Sequence, residues 1–300
     1  MSPLPPNTTP VPPSIFSPAM SPATTTSVPT PSPIPSRPKQ PEPEPKPEPE
    51  QPSDGKPPSS PPLPRIRVHL NDLSDAGTSI FLSSVSAPTL LPDSIRTVQE
   101  HLYPSPSPSS SSSTQTQLWH CPPTRSVTLI LRPMDGVAYT TGVDLDPEQH
   151  KEIHLSTRYV CSIAPASRRA PEIAGVLVHE LVHCYQWSGR GSAPGGLVEG
   201  VADWVRLRAG LAPPHWKTPG DGDGGDVGEG DRWDAGYQRT AYFLDYLEGR
   251  YGDGTVRRLN EKLRVGEYEE EAFWAELLGR SVGELWEDYK ESLGKEKGGR

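Results

Sequence analysis

The chain has 300 residues, a formal net charge of −9 at pH 7, 39 prolines and three cysteines. Of the prolines, 24 fall in residues 1–64, and residues 65–300 keep 25 Lys/Arg against 33 Asp/Glu. This balance excludes the basic footprint of a nucleic-acid or anionic-membrane binder, no apolar run reaches the roughly 20 residues of a membrane helix, and the cysteines form no Cys-x-x-Cys thiolate zinc site.

Residues 1–64 are rich in Pro, Ser and Thr, with a Pro-Glu alternation at 41–50. So little apolar surface cannot offset the entropy of ordering the chain, so a disordered tail of polyproline II character is expected. A spacer is its simplest use; docking to SH3 or WW modules is the functional alternative. The first residues lack the basic and apolar regions of a secretory signal, which favours an intracellular location. Cys121, Cys161 and Cys184 are odd in number and irregularly spaced, so at most one bridge is expected.

One domain is expected over 65–293, with a frayed tail at 294–300 and flexible insertions at 104–117 and 218–231. Ile66, Val68 and Leu70 alternate with polar residues, predicting a strand. Residues 78–102 read as helical, broken by Pro88 and Pro92. Val127, Leu129 and Leu131 predict a strand over 126–132. After an Asp135-Gly136 turn comes Val137–Thr140, and a strand is expected at 152–160. This strand could take up an extended peptide at a sheet edge.

A helix is predicted over about 170–187, with Pro171 and Glu172 in its first turn and Gly189 and Gly191 ending it. Ile173, Val176, Leu177, Leu181 and Tyr185 form its apolar stripe. A second helix covers about 196–210. Residues 218–231 contain Asp221 and Asp223, but Gly225 and Arg232 stand where calcium ligands belong, so a calcium loop is rejected. Helices are expected at 233–250, 255–264, 270–278 and 281–292.

The first of these helices carries His-Glu-Leu-Val-His, residues 179–183. Residues four apart share one helix face, so His179 and His183 can hold one zinc ion. Glu180 can then take the proton of an attacking water. A catalytic zinc normally takes three protein ligands. Glu199 on the second helix is the candidate third, and Asp203, one turn on, can fix the tautomer of a ligand histidine. The competing reading makes Glu199 and Asp203 a solvated helix face paired with Arg206. Leu197, Val198, Val201, Ala202 and Val205 leave that helix too little polar surface for this. Tyr237 is the candidate stabiliser of the developing oxyanion, with His215 and Arg239 behind it, and a mere packing role for this tyrosine is the equal alternative. His154 is read as structural. An astacin-like zinc pattern is excluded, because Gln186 and Gly189 occupy the positions of its Gly and third His. The spacing is similar to the thermolysin-like gluzincins, with a shorter connection to Glu199.

Several blocks carry a wider resemblance. They are Met134–Thr140, Ile153–Tyr159, Gly175–Trp187, Pro194–Leu207, Trp233–Tyr237 and Leu285–Lys290. In these the chain resembles the basic secretory proteins of plants and bacteria, zinc peptidases whose members are often secreted. The resemblance implies an α+β, zincin-like domain with a small N-terminal sheet, the motif helix and C-terminal helices. It also implies one Zn2+ held by His179, His183 and Glu199, with Glu180 as base, and hydrolysis of peptide or protein substrates. The rival function is a non-catalytic, zinc-stabilised interaction protein that docks through its Pro-rich tail.

Overall fold

The computed structural model describes residues 61–103, 120–143, 146–217 and 232–298. All lie in one of the chain's two units, Lys56–Arg300. The Pro-rich tail up to residue 60 and the two insertions fall almost entirely outside the described residues, and so does nearly all of the rejected calcium loop.

The fold is α+β, a small mixed sheet with nine α-helices among the described residues. The strands are β1 (Arg65–Leu70), β2 (Ser126–Arg132), β3 (Ala138–Val143) and β4 (Asp146–Ser156), in the order β1-β2-β4-β3. β1, β2 and β4 run parallel, and β3 returns antiparallel to β4. Leu129, Leu131, Ile153 and Leu155 alternate along β2 and β4 and are fully buried, the period-two pattern of a sheet covered on one face. The expected peptide-binding edge is corrected here. β4 is paired on both sides, so it has no edge to offer, and β3 is the edge strand beside the motif helix.

Between β1 and β2 lie α1 (Ala76–Ser84) and α2 (Ala87–Leu102). The predicted breaks at the prolines divide differently. Pro88 sits in the first turn of α2, where its missing N–H costs nothing. Pro92 lies inside α2 and does not break it. Leu91, Ile95, Val98 and Leu102 are all buried along that helix, and their burial, about 1.5–3 kcal/mol each, outweighs one lost hydrogen bond.

The strand expected to reach residue 160 stops at Ser156. There the Ser156 hydroxyl accepts from Tyr159 N (3.2 Å) and caps α3 (Thr157–Ser162), so Tyr159 is helical. The motif helix, α4 (Arg169–Tyr185), packs against β3, α1, α2 and the next helix, α5 (Gly195–Arg208). Its predicted stripe is buried, and so are Val178, Val182 and Cys184 around its other faces. It is a central helix rather than an amphipathic surface helix. It ends at Tyr185, before the glycines, with Gln186 extended (ψ 156°). Buried side chains satisfy its last carbonyls: Tyr103 Oη donates to Tyr185 O (2.5 Å) and Thr124 Oγ1 to Cys184 O (2.9 Å). All three cysteines are free.

The remaining helices are α6 (Tyr237–Tyr251), α7 (Thr255–Val265), α8 (Glu270–Leu278) and α9 (Val282–Gly298). The helix expected from 233 starts at Tyr237, because Trp233–Gly236 forms a turn. The Thr240 hydroxyl ties that turn down, donating to Trp233 O (2.8 Å) and accepting from Gly236 N (2.9 Å). Trp233 also meets Trp274 edge to face at 5.4 Å. The last helix runs on to Gly298, past the expected end at 292.

α5 and α6 approach closely because α5 carries glycines. A methyl group at Gly196 would overlap the Asp234 carbonyl, and one at Gly200 would overlap the Thr240 side chain. Gly200→Ala is therefore expected to lower stability by about 1–3 kcal/mol, the usual cost of overpacking, as read by urea or thermal denaturation.

Candidate active site

Two buried helices bring the site together. His179, Glu180 and His183 come from α4, and Glu199 and Asp203 from α5. Asp203, only 3% exposed, receives His179 Nδ1–H on Oδ1 at 2.7 Å. In the neutral ring that bond leaves the lone pair on Nε2, which points to the other histidine and to Glu199; in the charged ring Nε2–H donates to Glu199. His179 Nε2 lies 3.3 Å from His183 Nε2 and 3.1 Å from Glu199 Oε2. His183 Nε2 lies 3.7 Å from Glu199 Oε1.

These separations allow a test of whether the residues suit zinc. Ligands at zinc–N and zinc–O distances of about 2.0–2.2 Å in a tetrahedron are roughly 3.3–3.5 Å apart. The imidazole nitrogens are 3.3 Å apart, each has a Glu199 oxygen at 3.1 or 3.7 Å, one donor atom from each residue lies within 4.8 Å of the others, and the donor set of two imidazoles and a carboxylate suits the ion. His183 fits as well. Its Nδ1 is 2.7 Å from the Gln186 amide. With the amide oxygen turned to the ring, Nδ1–H donates and Nε2 stays free for a metal.

The electrostatics favour a cation here. Burial works against charging His179, yet its bonds to Asp203 and Glu199 prevail and raise its pKa to about 9. Burial and the charge on His179 together push His183 down. Glu199 is held below its ordinary range, chiefly by its bond to His179. Glu180 moves the other way. Burial raises it, and the His179 charge and the bond from Thr140 offset this only in part. A buried carboxylate raised in this way suits proton transfer near neutral pH.

Arg206 does not pair with Glu199 or Asp203, as the competing reading required. It reaches across to α4, where Nη2 donates to Glu172 Oε1 at 2.9 Å. Both α5 acids are left to the histidines, Asp203 to His179 and Glu199 to His179 and His183. His154 lies on the sheet, stacked on Tyr139 at 4.5 Å and accepting from Arg132 Nε, outside the cluster.

Tyr237 opens α6 with φ 49°, after Gly236 at φ 83°. A tyrosine in the left-handed region is strained, and this backbone sets its side chain on the wall of the cleft. It is 61% exposed, and the charge on Glu199 raises its pKa, ahead of burial, Asp203 and Glu180. His215 and Arg239 line the same cleft, of about 980 Å3.

Two site residues escaped the sequence reading. Thr140 on the edge strand β3 donates to Glu180 Oε2 at 2.7 Å and lies 2.9 Å from the Glu180 carbonyl. Gln186 reaches His183. Both lie inside blocks that carry the family resemblance, but contact between β3 and α4 is not visible in a linear pattern.

The family described as peptidase of plants and bacteria matches residues 63–289. The chain belongs to the basic secretory protein family. No curated protein and no solved structure matches the chain. The family match spans every strand and all but the last turns of α9, so the two-helix site lies within the family domain.

Two outcomes are expected. Thr140→Val should keep bound metal and lower turnover by about tenfold, the worth of a hydrogen bond to a charged group, with Thr140→Ser restoring it; metal analysis beside kinetics reads this. Glu172 is governed by burial, which raises it, and by Arg206, Tyr159 and Arg168, whose combined effect leaves it lowered. Its contribution to stability is therefore complete above the ordinary glutamate pKa and lost as pH falls through the lower folded value. Denaturation midpoints should fall over that acid window, and less steeply in Glu172→Gln.

Proposed function

We propose that this member of the basic secretory protein family is a zinc-dependent peptidase of gluzincin type, with a zincin-like domain over residues 65–293. The observation that carries the reading is the pairing of a His-His-Glu donor triangle with a buried carboxylate, Glu180, that takes no part in it. A purely structural zinc site has no use for such a base.

His179, His183 and Glu199 would hold the ion, with Asp203 and Gln186 orienting the imidazoles. Zinc, when bound, would polarise the scissile carbonyl and lower the pKa of water in the site. Glu180 accepts the Thr140 hydroxyl on Oε2, which leaves Oε1 to take the proton of the attacking water and pass it to the leaving amine. Tyr237 donates its hydroxyl to the substrate oxygen as negative charge develops there. As an edge strand of the described sheet, β3 can pair with an extended peptide, and Val137–Thr140 line the cleft beside it. Peptide hydrolysis uses all of these parts together.

The purified chain should bind about one zinc, and a chelator should abolish hydrolysis of casein or a peptide library. Glu180→Gln should keep the metal and lose turnover by several orders of magnitude. Retained hydrolysis in that variant would sink the mechanism. Stoichiometric metal without turnover on any peptide would favour the interaction protein, docking to SH3 or WW modules through its Pro-rich segment.

A further inference from the structure

One wall of the cleft carries a charge that the chemistry above does not use. The Arg206 side chain is 8% exposed and lines the cavity. Its Nε donates to Leu211 O (3.0 Å) and its Nη2 to Glu172 Oε1, while Nη1 makes no hydrogen bond among the described residues. Glu172 already accepts from the Tyr159 hydroxyl (2.8 Å) and from Arg168 Nη2 (3.3 Å). Two guanidinium groups thus share one carboxylate, and the group keeps a net positive charge. The nearby acids of α5 are committed to His179. A buried charge without a full counter-charge is costly unless a ligand supplies one.

The position of this charge is built into the helix. A Cβ at Gly175 would come within 2.6 Å of Arg206 Nε and 2.9 Å of Nη2, so only glycine admits the guanidinium against α4. Trp216 backs it, with its ring centroid 5.6 Å from Cζ. Gly175 precedes His179 by four residues, about 6 Å along the helix axis. An extended peptide rises about 3.4 Å per residue.

We propose that Arg206 binds a carboxylate on the peptide substrate, one or two residues from the cleaved bond. That carboxylate is either the C-terminal group or an Asp or Glu side chain. Guanidinium and carboxylate are matched in shape as well as charge. This assignment rests on the peptidase reading and adds a substrate class to it.

The test measures binding on the full-length, zinc-loaded Glu180→Gln chain, so that no probe is consumed. Two pairs of dansylated peptides are titrated: Gly-Phe-Leu as free acid and as carboxamide, and amidated Gly-Phe-Glu against amidated Gly-Phe-Gln. The expected result is that one acidic peptide binds about tenfold or more tightly than its neutral partner. The pair that shows the preference identifies the source of the carboxylate. Ratios near one in both pairs overturn the proposal. Arg206→Lys, added to the same chain, retains a charge to pair with Glu172 but lacks the nitrogen that faces no partner. The preference should fall severalfold, and an unchanged preference overturns the assignment to Arg206. Equal cleavage of acidic and neutral peptides by the unsubstituted chain would remove this inference and leave the peptidase standing. Failure to cleave any peptide would count against the peptidase, while the binding ratios still decide the role of Arg206.

Discussion

Two helices with almost no polar surface carry a dense set of ionisable side chains into the interior, and each of those charges has to find a partner there. This constraint organises the domain. α4 and α5 are apolar on nearly every face, yet between them they hold Glu172, His179, Glu180, His183, Glu199, Asp203 and Arg206. Isolated buried charges are far more costly than paired ones. The pairs that form run between the helices. Asp203 takes His179, Glu199 lies between both imidazoles, and Arg206 takes Glu172.

Two consequences follow for geometry. Pairing across the interface sets the rotation of each helix about its axis, because a turned helix would leave charges without partners. It also sets the imidazole tautomers, because an acceptor at Nδ1 commits Nε2 to the cleft. The rest of the fold supports this alignment. Tyr103 and Thr124 hold the end of α4 from below, and the glycines of α5 let α6 come close enough to set Tyr237 on the cleft wall. Thr240 links these parts: its methyl packs on Gly200 while its hydroxyl closes the turn before Tyr237.

The cleft has two electrostatic ends. One is rich in carboxylates, and Asp203 and Glu199 there hold His179 above its ordinary pKa against the effect of burial. The other carries the surplus positive charge around Arg206 and Arg168. Edge strand β3 borders the cleft and adds Thr140, so the same strand that lies at an edge of the described sheet also touches Glu180. In the proposed reaction, substrate alignment and the position of the base would thereby be coupled through one residue.

The sequence by itself determined the chemistry-bearing residues of one face. A four-residue spacing puts His179 and His183 on one side of any α-helix, and the apolar neighbours of Glu199 and Asp203 marked those acids as unusual. Alternation along 126–132 and 152–155 determined the buried face of the sheet. Only the tertiary structure decided contacts between elements distant in sequence. It showed that β4 is interior and that β3 lies at an edge of the described sheet, because strand order depends on pairing partners. It showed that Pro92 stays helical, because burial of Leu91, Ile95, Val98 and Leu102 outweighs one hydrogen bond. It joined Thr140 to Glu180 and Arg206 to Glu172, forty and thirty-four positions apart. Local pattern records what a residue does along its own helix or strand; which charge it neutralises depends on what the packing of the core brings next to it.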